Sequence, residues 1–81
     1  MHTVTVYSRE DCHLCEEALA TVREVAESAD AEVTVETVDV DEDPDLRAAY
    51  GDRVPYVLVD GDPAAKLRVD PADVRARLDG G

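Results

Sequence analysis

The feature that most restricts this chain is a hydrophobic period that changes twice within its first half. Thr3-Val4-Thr5-Val6-Tyr7 alternates and is rich in β-branched residues, the mark of a half-buried strand. From Cys12 to about Ser28 the apolar side chains Leu14, Cys15, Ala18, Leu19, Val22, Val25 and Ala26 recur at helical spacing, with Glu16, Glu17, Arg23, Glu24 and Glu27 between them. Acidic residues in the first turn agree with the helix dipole. Glu32 to Val40 then alternates again. Strand, helix and strand in that order predict a crossover unit, and its right-handed form makes the two strands parallel neighbours.

The remaining punctuation completes the architecture. Asp43-Pro44 reads as an N-cap followed by proline at the first helical position, opening a short helix that ends near Tyr50-Gly51. Val54-Pro55-Tyr56-Val57-Leu58-Val59 reads as a third strand and Asp60-Gly61-Asp62-Pro63 as a turn. Ala65 to Val69 is then a fourth strand in hairpin with the third. Asp70-Pro71 repeats the cap-and-proline device and starts a last helix through Val74 and Leu78. The expected fold is α/β, ordered β-α-β-α-β-β-α, a four-stranded mixed sheet with helices on both faces. Residues 1–81 are expected to form one domain, close to the smallest size at which a single core suffices.

Charge excludes several functions. Twenty acidic residues oppose eight basic ones for a net charge of −12, and Lys66 is the single lysine. No basic patch is available to neutralise phosphates, so nucleic acid and anionic membrane are not expected partners. Self-repulsion of this size opposes a compact state at low ionic strength and is screened at molar salt, where the Debye length is ~3 Å. Isoleucine, phenylalanine, tryptophan, asparagine and glutamine are absent, and valine and alanine dominate the apolar set. An acidic, lysine-poor surface over a small-residue core fits a halophilic protein. The start, Met1-His2-Thr3-Val4, has neither a basic segment nor an apolar run of the signal type, which gives a cytoplasmic expectation.

Against that background stand two cysteines, Cys12-His13-Leu14-Cys15, between the first strand and the first helix. In a reducing compartment such a pair is catalytic or metal-binding rather than a structural staple. A thiol at a helix N-terminus meets unpaired backbone N–H groups and the positive end of the dipole, and both favour thiolate. Cys12 stands at that entry and is the candidate nucleophile. Cys15, one turn along on the apolar stripe, is the candidate resolving thiol. Arg9 and a protonated His13 would assist the thiolate, while Glu10, Asp11, Glu16 and Glu17 oppose it. A C-x-x-C pair beside a β-α-β pattern reads as a thioredoxin-like redox motif.

Order and motif together resemble a glutaredoxin, and most closely the short glutaredoxin-like proteins of the thioredoxin-like superfamily. The residues that carry the resemblance are Val4-Thr5-Val6-Tyr7-Ser8 leading into Cys12-His13-Leu14-Cys15-Glu16-Glu17-Ala18. Downstream, Tyr50-Gly51-Asp52-Arg53-Val54-Pro55-Tyr56-Val57-Leu58 followed by Asp60-Gly61 matches the family's strand-entry proline and hairpin. The resemblance implies a thiol–disulfide oxidoreductase without a bound cofactor. Its substrate would be a disulfide-containing protein or a small-thiol disulfide, and its electron donor a thiol or a reductase. It implies that Pro55 is cis beside the cysteines and that Val54 pairs by backbone with the substrate. Glutaredoxins that use glutathione carry Cys-Pro-Tyr-Cys and a later Gly-Gly-x-x-Asp. Here His13-Leu14 separates the cysteines and Leu67-Arg68-Val69-Asp70-Pro71 lacks the glycine pair, so the resemblance leaves glutathione dependence open, with another small thiol or a thioredoxin-reductase-type protein as the alternative reductant. Asp70 is placed equally well by that motif and by helix capping.

Other readings of the same residues stay open. His13 can tune the nucleophile, shuttle a proton or sit in solvent. Arg53, beside Val54-Pro55, can attract a substrate carboxylate or pair with Asp52. Cys12, Cys15 and His13 can ligate zinc or an iron–sulfur cluster, although the chain offers no convincing fourth ligand. A redox-inert adaptor would use the fold for binding alone. The acidic stretches Glu36 to Asp43 and Asp60-Gly61-Asp62 do not have calcium-loop spacing and read as solvated surface.

Overall fold

The computed structural model describes residues 1–30, 32–66 and 69–80. Its elements are β1 (His2–Ser8), α1 (His13–Ser28), β2 (Val33–Asp39), a short 3-10 turn over Val40–Glu42, α2 (Pro44–Tyr50), β3 (Tyr56–Val59), β4 (Asp62–Lys66) and α3 (Pro71–Gly80). The sheet order is β2-β1-β3-β4. β1 runs parallel to β2 and antiparallel to β3, and β3 is antiparallel to β4. The strand and helix order is the expected one.

Alternation on β1 decides which side becomes core. Val4 and Val6 point to one face, where Val22 and Val25 of α1, Val74 and Leu78 of α3, and Val57 and Val59 of β3 complete a buried cluster. Valine suits this role on the strands because its branched side chain packs across a pleated surface. α1 and α3 therefore cover the same face and touch each other. The opposite face carries Tyr7 and Tyr56, and α2 reaches it through Tyr50. Tyr50 stacks on Tyr7 with ring centroids 4.6 Å apart, and lies 5.0 Å from Tyr56. These three rings are the whole aromatic content of the chain.

Two of the three Asp-Pro pairs, Asp43-Pro44 and Asp70-Pro71, act as helix starts. The Asp43 carboxylate accepts the Asp45 N–H at 2.9 Å, and Asp70 accepts the Ala72 N–H at 2.9 Å. Capping therefore accounts for Asp70, with proline following at a position that lacks an intrahelical donor anyway.

The hairpin differs from its expected form. Its turn is only Asp60-Gly61, with φ of 52° and 86°, so pairing resumes at Asp62. Asp-Gly with both residues left-handed matches the twist of the flanking strands, which makes the longer turn unnecessary. Pro63 then lies within β4, where a missing N–H is tolerated because β4 is an edge strand with an irregular register near Leu58. β4, Asp62–Lys66, thus begins three residues before the expected Ala65, and Val69 lies outside it. Leu67 and Arg68 of the expected strand lie outside the described residues. β3 begins at Tyr56, one residue beyond the expected proline.

Candidate active site

The end of β1 that carries Tyr7 and Ser8 leads directly to the cysteines. Asp11 adopts φ 56°, a left-handed conformation that a short polar side chain accepts more readily than most, and it turns the chain into α1. Cys12 is the N-cap, extended at φ −100° and ψ 103°. Its carbonyl oxygen accepts the Glu16 N–H at 3.2 Å, and its sulfur accepts the Cys15 N–H at 3.2 Å. A sulfur at this position takes the place of the serine or aspartate oxygen in an ordinary cap.

Cys12 and Cys15 are joined as a disulfide, with Cα atoms 5.2 Å apart. Their environments differ. Cys12 is half-buried, whereas Cys15 is 3% exposed and lies on the core stripe with Ala18 and Val22. An incoming reagent therefore meets Cys12 first. Leu14, between them, is 46% exposed.

The strand register places Pro55 at the same end of the sheet. Tyr7 pairs with Tyr56, so the residues just before Tyr56 lie beside the exit of β1 toward Cys12. The Val54–Pro55 peptide bond is cis. Pro55 is fully buried and Val54 half-buried. Arg53 is exposed, its N–H donates to the Tyr50 carbonyl at 2.8 Å, and its side chain forms no ion pair among the described residues.

His13 and Arg9 are engaged elsewhere than at the thiol. The His13 imidazole is solvent-exposed and lies 3.3 Å from Glu17 and 4.0 Å from Glu16. Arg9 contacts both carboxylate oxygens of Asp41 at 3.2 Å and donates to the Gly51 carbonyl at 3.4 Å. Arg47 approaches the same Asp41 carboxylate at 3.3 Å and donates to the Asp41 carbonyl at 3.1 Å. Arg9 thus links the segment before Cys12 to the segment before Val54, in place of the expected role as the thiol's counter-charge. Sequence reasoning missed this link, since no local pattern joins Arg9 to Asp41 or Gly51. The tyrosine cluster was missed for the same reason.

Both sulfurs of the candidate metal set are in the disulfide. Among the described residues no group of three or more His, Cys, Asp or Glu side chains could hold a metal ion. A shallow groove of about 260 Å³ lined by Arg23, Ala26, Glu27, Val33 and Val35 lies between β2 and the far half of α1, away from Cys12. Among the described residues no helix is long and apolar enough to cross a membrane.

Residues 3–79 match the model of the glutaredoxin-like domain, DUF836. The chain belongs to that family. Its fold is that of the thioredoxin-like proteins. It is similar to a structural-genomics target protein from X. campestris, 32% identical, with a TM-score of 0.75 over 96% of this chain and 97% of the other. A protein from Nitrosomonas europaea is 30% identical, with a TM-score of 0.77 over 95% of this chain and 91% of the other. A thioredoxin mutant from Halobacterium salinarum, 24% identical, shares the fold with a TM-score of 0.69 over 98% of this chain and 73% of its own. No curated protein matches the chain. Family membership and the adjacent cysteine pair fit a redox function for this glutaredoxin-like domain.

Proposed function

We propose that this single domain, residues 1–81, is a thiol–disulfide oxidoreductase that reduces protein disulfides or mixed disulfides through Cys12 and Cys15. The observation that carries the reading is the Cys15 N–H on the Cys12 sulfur at the start of α1. In the reduced protein that donor and the helix dipole favour thiolate at Cys12. Cys12 attacks one sulfur of the substrate disulfide, and the other leaves as a thiolate that takes a proton from water. The Cys15 thiol gives up its proton to water, its thiolate attacks the Cys12 sulfur, the mixed-disulfide bond breaks, and the substrate's second sulfur departs as a thiolate. Two electrons pass to the substrate and the Cys12–Cys15 disulfide remains. A dithiol or a reductase returns two electrons to start again.

Val54 is the substrate's backbone partner in this reading, with Pro55 fixing the segment. Half-burial at the correct end of the sheet supports that role, and among the described residues no backbone hydrogen bond engages Val54. Arg53 supplies a cation at the rim, and His13 contacts the substrate from the helix side. The protein works in a cytoplasm of high salt. The test is turnover: the reduced protein, mixed with a disulfide-bonded protein and excess dithiothreitol, accelerates reduction, and Cys12→Ser does not. Equal rates for the two forms would reject the proposal.

A further inference from the structure

The dithiol brings a disulfide to this site, and the charges around it decide which disulfide comes. Glu10, Asp11, Glu16 and Glu17 are all exposed and all lie within five residues of Cys12. Glu16 stands one helical turn from Cys12, joined to it by a backbone hydrogen bond. The cations that would balance these carboxylates are occupied. Arg9 is held by Asp41 and the Gly51 carbonyl, and His13 lies against Glu17 and Glu16. Among the described residues Arg53 and Lys66 are the exposed cations on the proline side, Arg53 next in sequence to the exposed Asp52 and Lys66 opposite Tyr56 on β4, two charges against the four carboxylates. The immediate surroundings of the attacking sulfur are therefore net negative, with exposed Leu14 as an apolar patch between the cysteines.

Resting on the oxidoreductase reading, we infer that this site selects disulfides that carry positive charge beside the sulfur and rejects anionic ones, including small carboxylate-bearing thiol disulfides. The physical argument is one of range. At about 0.1 M salt the Debye length is ~10 Å, so only charges near Cys12 act on an approaching substrate and the distant part of the −12 is screened. At molar salt it is ~3 Å, and the selection narrows to substrate charges that touch these carboxylates. A surface of one sign concentrates the opposite sign and raises its encounter rate by 10-fold or more, roughly. The protein substrate that fits is one whose disulfide is flanked by lysine or arginine, with an apolar residue to meet Leu14. The missing glutathione-type glycine pair agrees, since that ligand is anionic.

Three small disulfides separate charge from shape: cystamine (cationic), bis(2-hydroxyethyl) disulfide (neutral) and dithiodiglycolate (anionic). Stopped-flow oxidation of the reduced full chain is followed with each, from 0.1 M to 1 M sodium chloride. Each rate is divided by that of dithiothreitol with the same disulfide, which removes differences in leaving-group chemistry. We expect the normalised cystamine rate to exceed that of dithiodiglycolate by about tenfold at 0.1 M. It should fall with salt, the anionic rate should rise, and the neutral one should stay level. Glu16→Gln combined with Glu17→Gln should shrink the cation-to-anion ratio. Glu24→Gln with Glu27→Gln removes the same charge from the far half of α1, beyond ~10 Å, and should leave the ratio unchanged. A ratio of one at 0.1 M, or an equal shift from the remote pair, overturns the charge selection. Failure to reduce even the neutral disulfide at any salt overturns the oxidoreductase reading, and the selection with it.

Discussion

The Cys15 backbone N–H donates to the Cys12 sulfur at 3.2 Å, so the residue assigned to resolve the mixed disulfide also holds the sulfur it attacks. The donor belongs to the backbone and survives any substitution at Cys15 except proline. The contribution of Cys15's side chain can therefore be removed without removing the feature that activates Cys12.

Cys15→Ser should accordingly retain a reactive Cys12. We expect it to form a stable mixed disulfide with a protein substrate and to release none of it, whereas Cys12→Ser forms no adduct. In the reduced wild type, iodoacetamide at neutral pH should label Cys12 more than about tenfold faster than Cys15, following thiolate fraction and exposure. Peptide mass spectrometry reads the order, and faster labelling of Cys15 would reverse the assignment.

Thermal stability should rise as sodium chloride goes from about 0.1 M to about 1 M, because shortening the Debye length weakens repulsion among surface carboxylates. Circular dichroism melts measure this. A flat melting temperature over that range would remove the halophilic reading and leave the chemistry untouched.

Arg9→Gln should separate the two segments that Arg9 links. The pair with Asp41 is partly solvent-exposed, so its contribution to stability is at most about 1 kcal/mol and shrinks with salt. The effect on turnover should be larger than the effect on folding, with a raised KM for protein disulfides. A variant that melts early but keeps its KM would show that Arg9 serves folding alone.

At the opposite end of the sheet, His2 Nδ1 lies 2.6 Å from one Asp60 oxygen, and the other accepts the Thr3 N–H at 2.9 Å. The hydrogen bond from His2, then that from Thr3, hold the Asp60 carboxyl below the usual carboxylate range. A depressed folded-state pKa gives stability that is present above the unfolded pKa and lost as pH falls through the folded one. Acid unfolding of Asp60→Asn should show a shallower pH dependence below about pH 4, the ordinary carboxylate range. Superimposable acid limbs for variant and wild type would exclude the linkage.

Tyr50→Leu should lose two aromatic contacts, with Tyr7 and with Tyr56. At roughly 0.5–1.5 kcal/mol per aromatic pair, the melting temperature should drop by several degrees, and near-ultraviolet dichroism should fall. Retained near-ultraviolet signal would mean that the rings are ordered without stacking.

By itself the sequence determined the order of elements, the placement of Cys12 at a helix entry and both Asp-Pro caps. Each is written in a local signal: a period of two or 3.6, a capping side chain, a proline where no donor is needed. The hairpin's extent was only half legible. Asp-Gly announced a turn, but where pairing resumed depended on β4 being an edge strand that accepts Pro63. Tertiary structure alone decided the fate of Arg9, which spacing near the cysteines made look like a counter-charge for the thiol. It lies instead on Asp41 and Gly51, residues that no helical or strand repeat connects to it. The three tyrosines likewise meet only because β1, β3 and α2 converge at one end of one face. Local periodicity fixes which way a side chain points along its own element. Which side chains from distant elements share that side is set by strand register and helix packing, and these are decided when the whole core closes.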